Sequence, residues 1–199
     1  MPAREFLLLS ATEPDRSGLV AELTGFIAEC GCNVEDSRIV VLGGYAGIMV
    51  LLSGEPSELQ AVTDGLDGFR ERTGIRAVPR RVRARRAEEA GEAPRILVQA
   101  SAIDHEGIIH ALAETVRQHG GNILELESAT ESAPMTGEPL FRLRMSVWAR
   151  DEAGAEGRLW RELEEVARRE GVDLELQAAP LPAGASEPIG PERRAVPRT

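Results

Sequence analysis

The chain has no lysine: every one of its 23 basic residues is arginine. That excludes a Schiff-base lysine and the lysine of a phosphate-binding P-loop. Aromatic residues are 4% of the chain. Phe6, Tyr45, Phe141 and Trp148 are the ones expected on strands, too few for the stacking platforms of RNA-binding sheets. The three histidines, His105, His110 and His119, have no metal-ligand spacing. The two cysteines, Cys30 and Cys32, stand too close for an ordinary disulfide and lack the second ligand pair of a structural zinc. They read as small buried residues at a helix end. There is no Gly-x-Ser-x-Gly, no Walker loop and no Cys/His constellation, so catalytic residues, metals and cofactors are not expected. No apolar run approaches the roughly 20 residues of a membrane helix. Met1 to Glu5 lead straight into a strand-like run, without the h-region of a secretory signal, so the expected location is the cytoplasm.

What is present is acidic and globular in composition. The net charge is −10, and 42% of the 199 residues are hydrophobic. An acidic chain is repelled by phosphate, which argues against nucleic acid as a direct partner. The basic run Arg80–Arg86 is followed at once by the acidic stretch Ala87–Glu92, and reads as a strand end and solvated linker.

The chain is written twice. Asp15-Arg16-Ser17-Gly18-Leu19-Val20 leads through a helical pattern to Gly31-Cys32-Asn33-Val34; Asp104-His105-Glu106-Gly107-Ile108-Ile109 leads likewise to Gly120-Gly121-Asn122-Ile123. Asp15 to Asn33 and Asp104 to Asn122 both span 18 residues, and every match is offset by 89. A repeat of that length is a duplicated domain, beyond the ~20–50 residues of solenoid units.

Each copy alternates strand and helix patterns. In the first, Phe6-Leu7-Leu8-Leu9 reads as a central strand. Leu19, Leu23, Phe26 and Ile27 mark one buried helix face, closed by Gly31. Val34–Leu42 and Tyr45–Ser53 are strands joined by Gly43-Gly44, and a second helix begins near Pro56, with Ser57 and Gln60 spaced as a capping box. Ile75–Val82 closes the unit. The order β-α-β-β-α-β is the ferredoxin-like split βαβ arrangement. The second copy repeats it, with eight extra residues assigned to a longer hairpin loop at Ser132–Pro139. The fold class is therefore α+β, two tandem βαββαβ units with antiparallel sheets. The expected divisions are 1–84 and 94–180, a linker at 85–93 and a disordered tail at 181–199.

A helix that starts at Gly18 offers free backbone N–H groups and a partial positive charge, suited to a small carboxylate. Asp15 can hold an ammonium, and Asn33 both donates and accepts. That mixture suits an α-amino acid. The bland alternative makes Asp15 and Ser17 helix caps, Gly31 a stop and Asn33 a turn residue.

The Asp-Arg-x-Gly-Leu-Val loop followed by Gly-x-Asn-Val inside βαββαβ resembles the ACT domain, a regulatory module that binds amino acids. Two such units, with the string Cys30-Gly31-Cys32-Asn33-Val34-Glu35-Asp36-Ser37-Arg38, are similar to the glycine cleavage system transcriptional repressor family. The resemblance covers 4–83 and 95–178. It implies a non-enzymatic regulator that works through a protein partner, a transcription activator, with glycine as a possible signal. It also implies an effector held between the first loop of one unit and the second strand of a neighbouring unit. Carried over by position, the ligand-binding residues are Asp15, Arg16, Ser17, Gly18, Leu19, Cys32, Asn33 and Val34 in the first unit. In the second they are Asp104, His105, Gly107, Ile108, Gly121, Asn122 and Ile123. The second unit departs at His105 and Glu106; an acidic Glu106 disfavours a bound carboxylate, so the first loop is expected to be the stronger. A ligand-free adaptor, or a regulator of a metabolic enzyme, is the rival reading.

Assembly has its own signal. Ile39-Val40-Val41-Leu42 and Ile48-Met49-Val50-Leu51-Leu52 are apolar at every position, whereas Phe141, Leu143 and Met145 alternate with Arg142 and Arg144. A sheet covered by helices on one side does not need two apolar faces. The expectation is that the first unit's open face or second-strand edge is covered by the other unit or by a second chain, which makes a homo-oligomer.

Overall fold

A computed structural model of the chain describes residues 5–82, 95–132, 137–149 and 157–179. The expected linker and tail, the end of the arginine run and part of the long hairpin loop lie outside these residues. The chain divides into two compact units, 1–84 and 85–199.

The first unit runs β1 (Glu5–Pro14), α1 (Leu19–Glu29), β2 (Asn33–Leu42), β3 (Tyr45–Gly54), α2 (Pro56–Thr73) and β4 (Ala77–Val82). The second runs β5 (Arg95–Ile103), α3 (Ile108–Gln118), β6 (Asn122–Ser132), β7 (Pro139–Trp148), α4 (Arg158–Glu170) and β8 (Asp173–Ala179). The sheets have the orders β2-β3-β1-β4 and β6-β7-β5-β8, with every pairing antiparallel. The two helices of each unit pack on one face of its sheet. In the first, Leu7, Leu9, Ile48, Val50 and Leu52 meet Leu19, Leu23, Ile27, Leu59 and Val62, all buried. Phe26 and Phe69 stack across α1 and α2 with ring centroids 4.6 Å apart. Ile96, Val98, Leu143, Met145, Leu112 and Leu163 make the equivalent core of the second unit. The helix positions, and Leu143 and Met145 on β7, are those the periodicity assigns inward; on β1 and β3, which are apolar in continuous runs, the facing is set by pairing and packing.

Two local readings change. The box that caps α2 is Glu55 with Glu58, two residues earlier than Ser57 with Gln60: Glu55 stands at the N-cap, and its N–H donates to Glu58 Oε2 at 2.7 Å. A glutamate at the cap is an unusual choice, which is why residue preference pointed to the serine. The eight extra residues also do not all fall in the hairpin. Asn33 pairs with Ser53 and Asn122 with Trp148, so β7 is offset from β3 by 95 where β6 is offset from β2 by 89. Six residues lengthen the hairpin and two fall between β7 and β8.

β2 lies at the sheet edge, outside the helix layer, and each of its residues is exposed. Ile39 and Val41 sit opposite the buried Ile48 and Ala46 yet stay open. On the other face Val40, Leu42, Tyr45, Met49 and Val78 are exposed, Leu42 by 70%. The same face of the second unit carries Arg142 and Arg144, with Glu125 and Glu127 to one side and Asp173 and Glu175 to the other. No helix among the described residues is long and apolar enough to cross a membrane.

Candidate functional site

The repeated loops begin where β1 and β5 end. The Asp15 N–H donates to Gly44 O at 2.9 Å, and the Asp104 N–H to Pro139 O at 2.9 Å, which closes each sheet end in the same way. Three residues later the chain turns into α1 or α3 through Gly18 (φ 95°) or Gly107 (φ 98°). A side chain with a Cβ is strained in that left-handed region. Nothing lies within 4 Å of a Cβ built on Gly107, and one on Gly18 meets only the Glu22 and Arg16 side chains. Backbone conformation, then, requires these glycines; close approach by a carboxylate is not needed to explain them. Buried Leu19 and Ile108 anchor the helix starts. Neither start receives a side-chain cap, so Asp15 and Ser17 are not the caps of the bland reading.

The loop side chains differ in their engagements. Among the described residues the Asp15 carboxylate has no hydrogen bond or ion pair, whereas the Asp104 Oδ2 accepts from Thr130 Oγ1 at 3.2 Å. Arg16 grips Glu22 with both terminal nitrogens, at 2.7 and 2.6 Å, and also donates to Thr73 O at 3.1 Å. This pairing raises the guanidinium pKa and lowers that of the Glu22 carboxyl, chiefly through the shared hydrogen bonds. His105 lies with Nδ1 3.1 Å from Glu106 O and Nε2 2.9 Å from Glu170 O. Arg16 and His105 are thus turned toward their own unit's second helix. Ser17 and Glu106 are exposed.

Cys32, Asn33 and Val34 are not beside the first loop. β1 ends opposite Tyr45 and β2 begins opposite Ser53, at the two ends of β3. At about 3.3 Å per residue that is a separation of about 26 Å. The same holds in the second unit, where Ile103 pairs with Leu140 and Asn122 with Trp148. One unit therefore cannot bring its loop and the start of its second strand to the same small ligand.

At the β2 end, a bulge between Val34 and Asp36 leaves Glu35 out of register. Glu35 Oε1 accepts from Asn33 Nδ2 at 3.0 Å and from Ser53 Oγ in a short contact. Cys32 is buried beside them, and burial, with Glu58 and Cys30 nearby, pushes its thiol pKa up. A Cβ on Gly54 would lie 3.0 Å from Glu58 Oε2 and 3.3 Å from Cys32 Sγ, so the corner is tightly filled. Sequence reasoning missed Glu35 and Ser53. The i, i+2 spacing of Asn33 and Glu35 was a signal, but the place of Ser53 required the register. In the second unit Leu124 takes the place of Glu35 at the bulge and Trp148 that of Ser53. Gly121 replaces Cys32, with Val116 and the Trp148 carbonyl too close to admit a Cβ comfortably. Asn122 and Ile123 begin β6 as Asn33 and Val34 begin β2. A polar groove of about 320 Å³ crosses that unit's open face, lined by Gln99, Ser101, Arg142, Arg144, Asp173 and Glu175.

Residues 5–78 match the ACT domain family. The chain is 28% identical over 156 residues to the glycine cleavage system transcriptional repressor of Escherichia coli (strain K12), covering 78% of this chain and 80% of the relative. The protein of the same description from Shigella flexneri matches equally. Among solved structures, an unknown protein from Galdieria sulphuraria superposes with a TM-score of 0.76 at 25% identity, over 89% of this chain and 99% of that one.

Proposed function

We propose, from the premise that the first unit matches the ACT domain family and the chain resembles the glycine cleavage system transcriptional repressors, that it is a cytoplasmic, non-enzymatic sensor of a small amino acid. It passes the signal on by contact with a protein partner, a transcription activator, without touching nucleic acid itself. Glycine is the first ligand to try. The observation that carries the reading is the first loop: an Asp15 carboxylate unengaged among the described residues, beside an α1 start without a side-chain cap. The carboxylate suits an ammonium and the helix start suits a carboxylate.

The other wall of the site comes from Asn33, with Glu35 behind it, on the β2 of a second copy. The 26 Å separation within one unit motivates that composite arrangement, and the exposed β2 edge makes it accessible. The second loop is the weaker, because Thr130 already occupies Asp104 and Glu106 repels a carboxylate.

Calorimetric titration of the full chain against the twenty amino acids tests the proposal. Asp15→Ala should weaken binding about tenfold, the loss of about 1.4 kcal/mol expected for a charge-assisted hydrogen bond. Asn33→Ala should weaken it too, and Asp104→Ala should change little. No heat with any amino acid would favour the ligand-free adaptor; equal losses from Asp15→Ala and Asp104→Ala would refute the asymmetry.

A further inference from the structure

We propose that Arg16 and His105 are equivalent positioning residues, each mooring its loop to the carboxyl end of its own unit's second helix. The mooring is permanent in the first unit and proton-dependent in the second.

The equivalence is geometric. Arg16 and His105 occupy the same place in the repeat, one residue after Asp15 and Asp104. Their acceptors are equivalent as well: Thr73 ends α2 just before the left-handed cap Gly74, and Glu170 ends α4 just before the left-handed cap Gly171. The last carbonyls of a helix have no partner within it and form its negative pole. A cationic donor from the first loop is what such an end accepts. Arg16 supplies it at 3.1 Å and His105 at 2.9 Å. The loops that carry the sites are thereby tied to the helix that packs beside them.

The chemistry of the two moorings differs. A guanidinium keeps its charge throughout the physiological range, and Glu22 on α1 holds Arg16 in place from the other side. The position equivalent to Glu22 is Ala111, so His105 has no carboxylate across from it on α3. Both atoms facing the His105 ring nitrogens are carbonyl oxygens, which only accept. A neutral imidazole has one N–H, and an imidazolium has two. Both contacts exist together only when the ring is charged.

The neighbouring charges act in the same direction. Asp104 and Glu106 lie on the loop, and Glu170 on α4. The Glu106 and Glu170 carbonyls, followed by the Glu170 and Asp104 charges, raise the His105 pKa above its ordinary value. Arg168 and Arg169 stand in the last turn of α4, where Arg169 Nε is 3.4 Å from the Glu170 carboxylate and Arg168 Nε donates to Glu164 O at 3.3 Å. Because the folded-state pKa is raised, the double mooring is fully present below about pH 6.5, the ordinary histidine value. It is lost as pH rises through the folded-state value. The first unit has no such window.

The test reads the loop itself, so it does not depend on whether any amino acid binds there. Follow the imidazole of His105 and the amides of Gly107 and Gly171 by NMR through a pH titration of the full chain. The His105 midpoint should lie above about 6.5, with both glycine amides shifting at the same midpoint. His105→Arg should hold those amides at their low-pH positions throughout, and His105→Gln should hold them at their high-pH positions. Arg16→His should install a matching titration at Gly18 and Gly74, where the parent protein shows none. A His105 midpoint at or below 6.5, a Gly171 amide that ignores it, or flat Gly18 and Gly74 amides in Arg16→His would each overturn the proposal.

Discussion

The two open sheet faces are built on one plan and finished in opposite ways. Row by row, Gly47 and Met49 on β3 occupy the places of Arg142 and Arg144 on β7; Val78 on β4 occupies that of Glu175 on β8. The edges differ likewise: β2 ends in Ile39-Val40-Val41-Leu42, whereas β6 carries Glu125, Glu127 and Glu131. Charge along an edge is a common defence against pairing with another chain. The second unit has that defence, and the first has it only in the half of β2 that contains Glu35, Asp36 and Arg38. The two units share the pattern of their cores and the glycines of their loops, while their open faces differ. An exposed apolar face that survives beside a charged sister face points to a partner for the first unit.

A charge placed on either side of the β3 strand should have the largest effect. Val50 is 2% exposed and Met49 is 48% exposed. Val50→Glu should cost about 3–5 kcal/mol, the scale of an uncompensated buried charge, and unfold the first unit. Met49→Glu should leave stability within about 0.5 kcal/mol. Urea denaturation of both variants checks this, and two equally stable variants would contradict the assigned facing.

Next in size is assembly. If a second copy covers the apolar face, Met49→Glu and Val40→Glu should each reduce the mass measured by light scattering from two chains to one. Arg144→Met on the other unit should not reduce it. A single-chain mass in the parent protein would rule out the homodimer.

The smallest effect sharpens the likeness of the loops. Gly18→Ala and Gly107→Ala both force a Cβ into positive φ, so each should lose about 1–2 kcal/mol, despite the different surroundings of the two Cβ positions. Thermal unfolding measures it. Gly18→Ala therefore tests the backbone before it tests a ligand, and Asp15→Ala is the cleaner probe of binding.

Much of the architecture was legible in the residues. Leu19, Leu23, Phe26 and Ile27 at helical spacing, alternation through Phe141, Leu143 and Met145, and glycines at the turns encode local structure directly. Each reports which side of its own element is buried. The repeat of Asp15 to Asn33 at Asp104 to Asn122 likewise announced two units. Some features lie between elements, however, and no spacing along the chain reports them. Strand order and register put Asp15 and Asn33 at opposite ends of one sheet. They brought Ser53 to Glu35, and they decided that Met49 faces out and Val50 in. The match between Arg16 and His105, unlike as residues, emerged only when both were seen to reach the end of a helix over fifty residues away in sequence. Local chemistry is written in neighbouring residues; the meeting of distant ones is set by backbone pairing and packing, which exist only once the chain has folded.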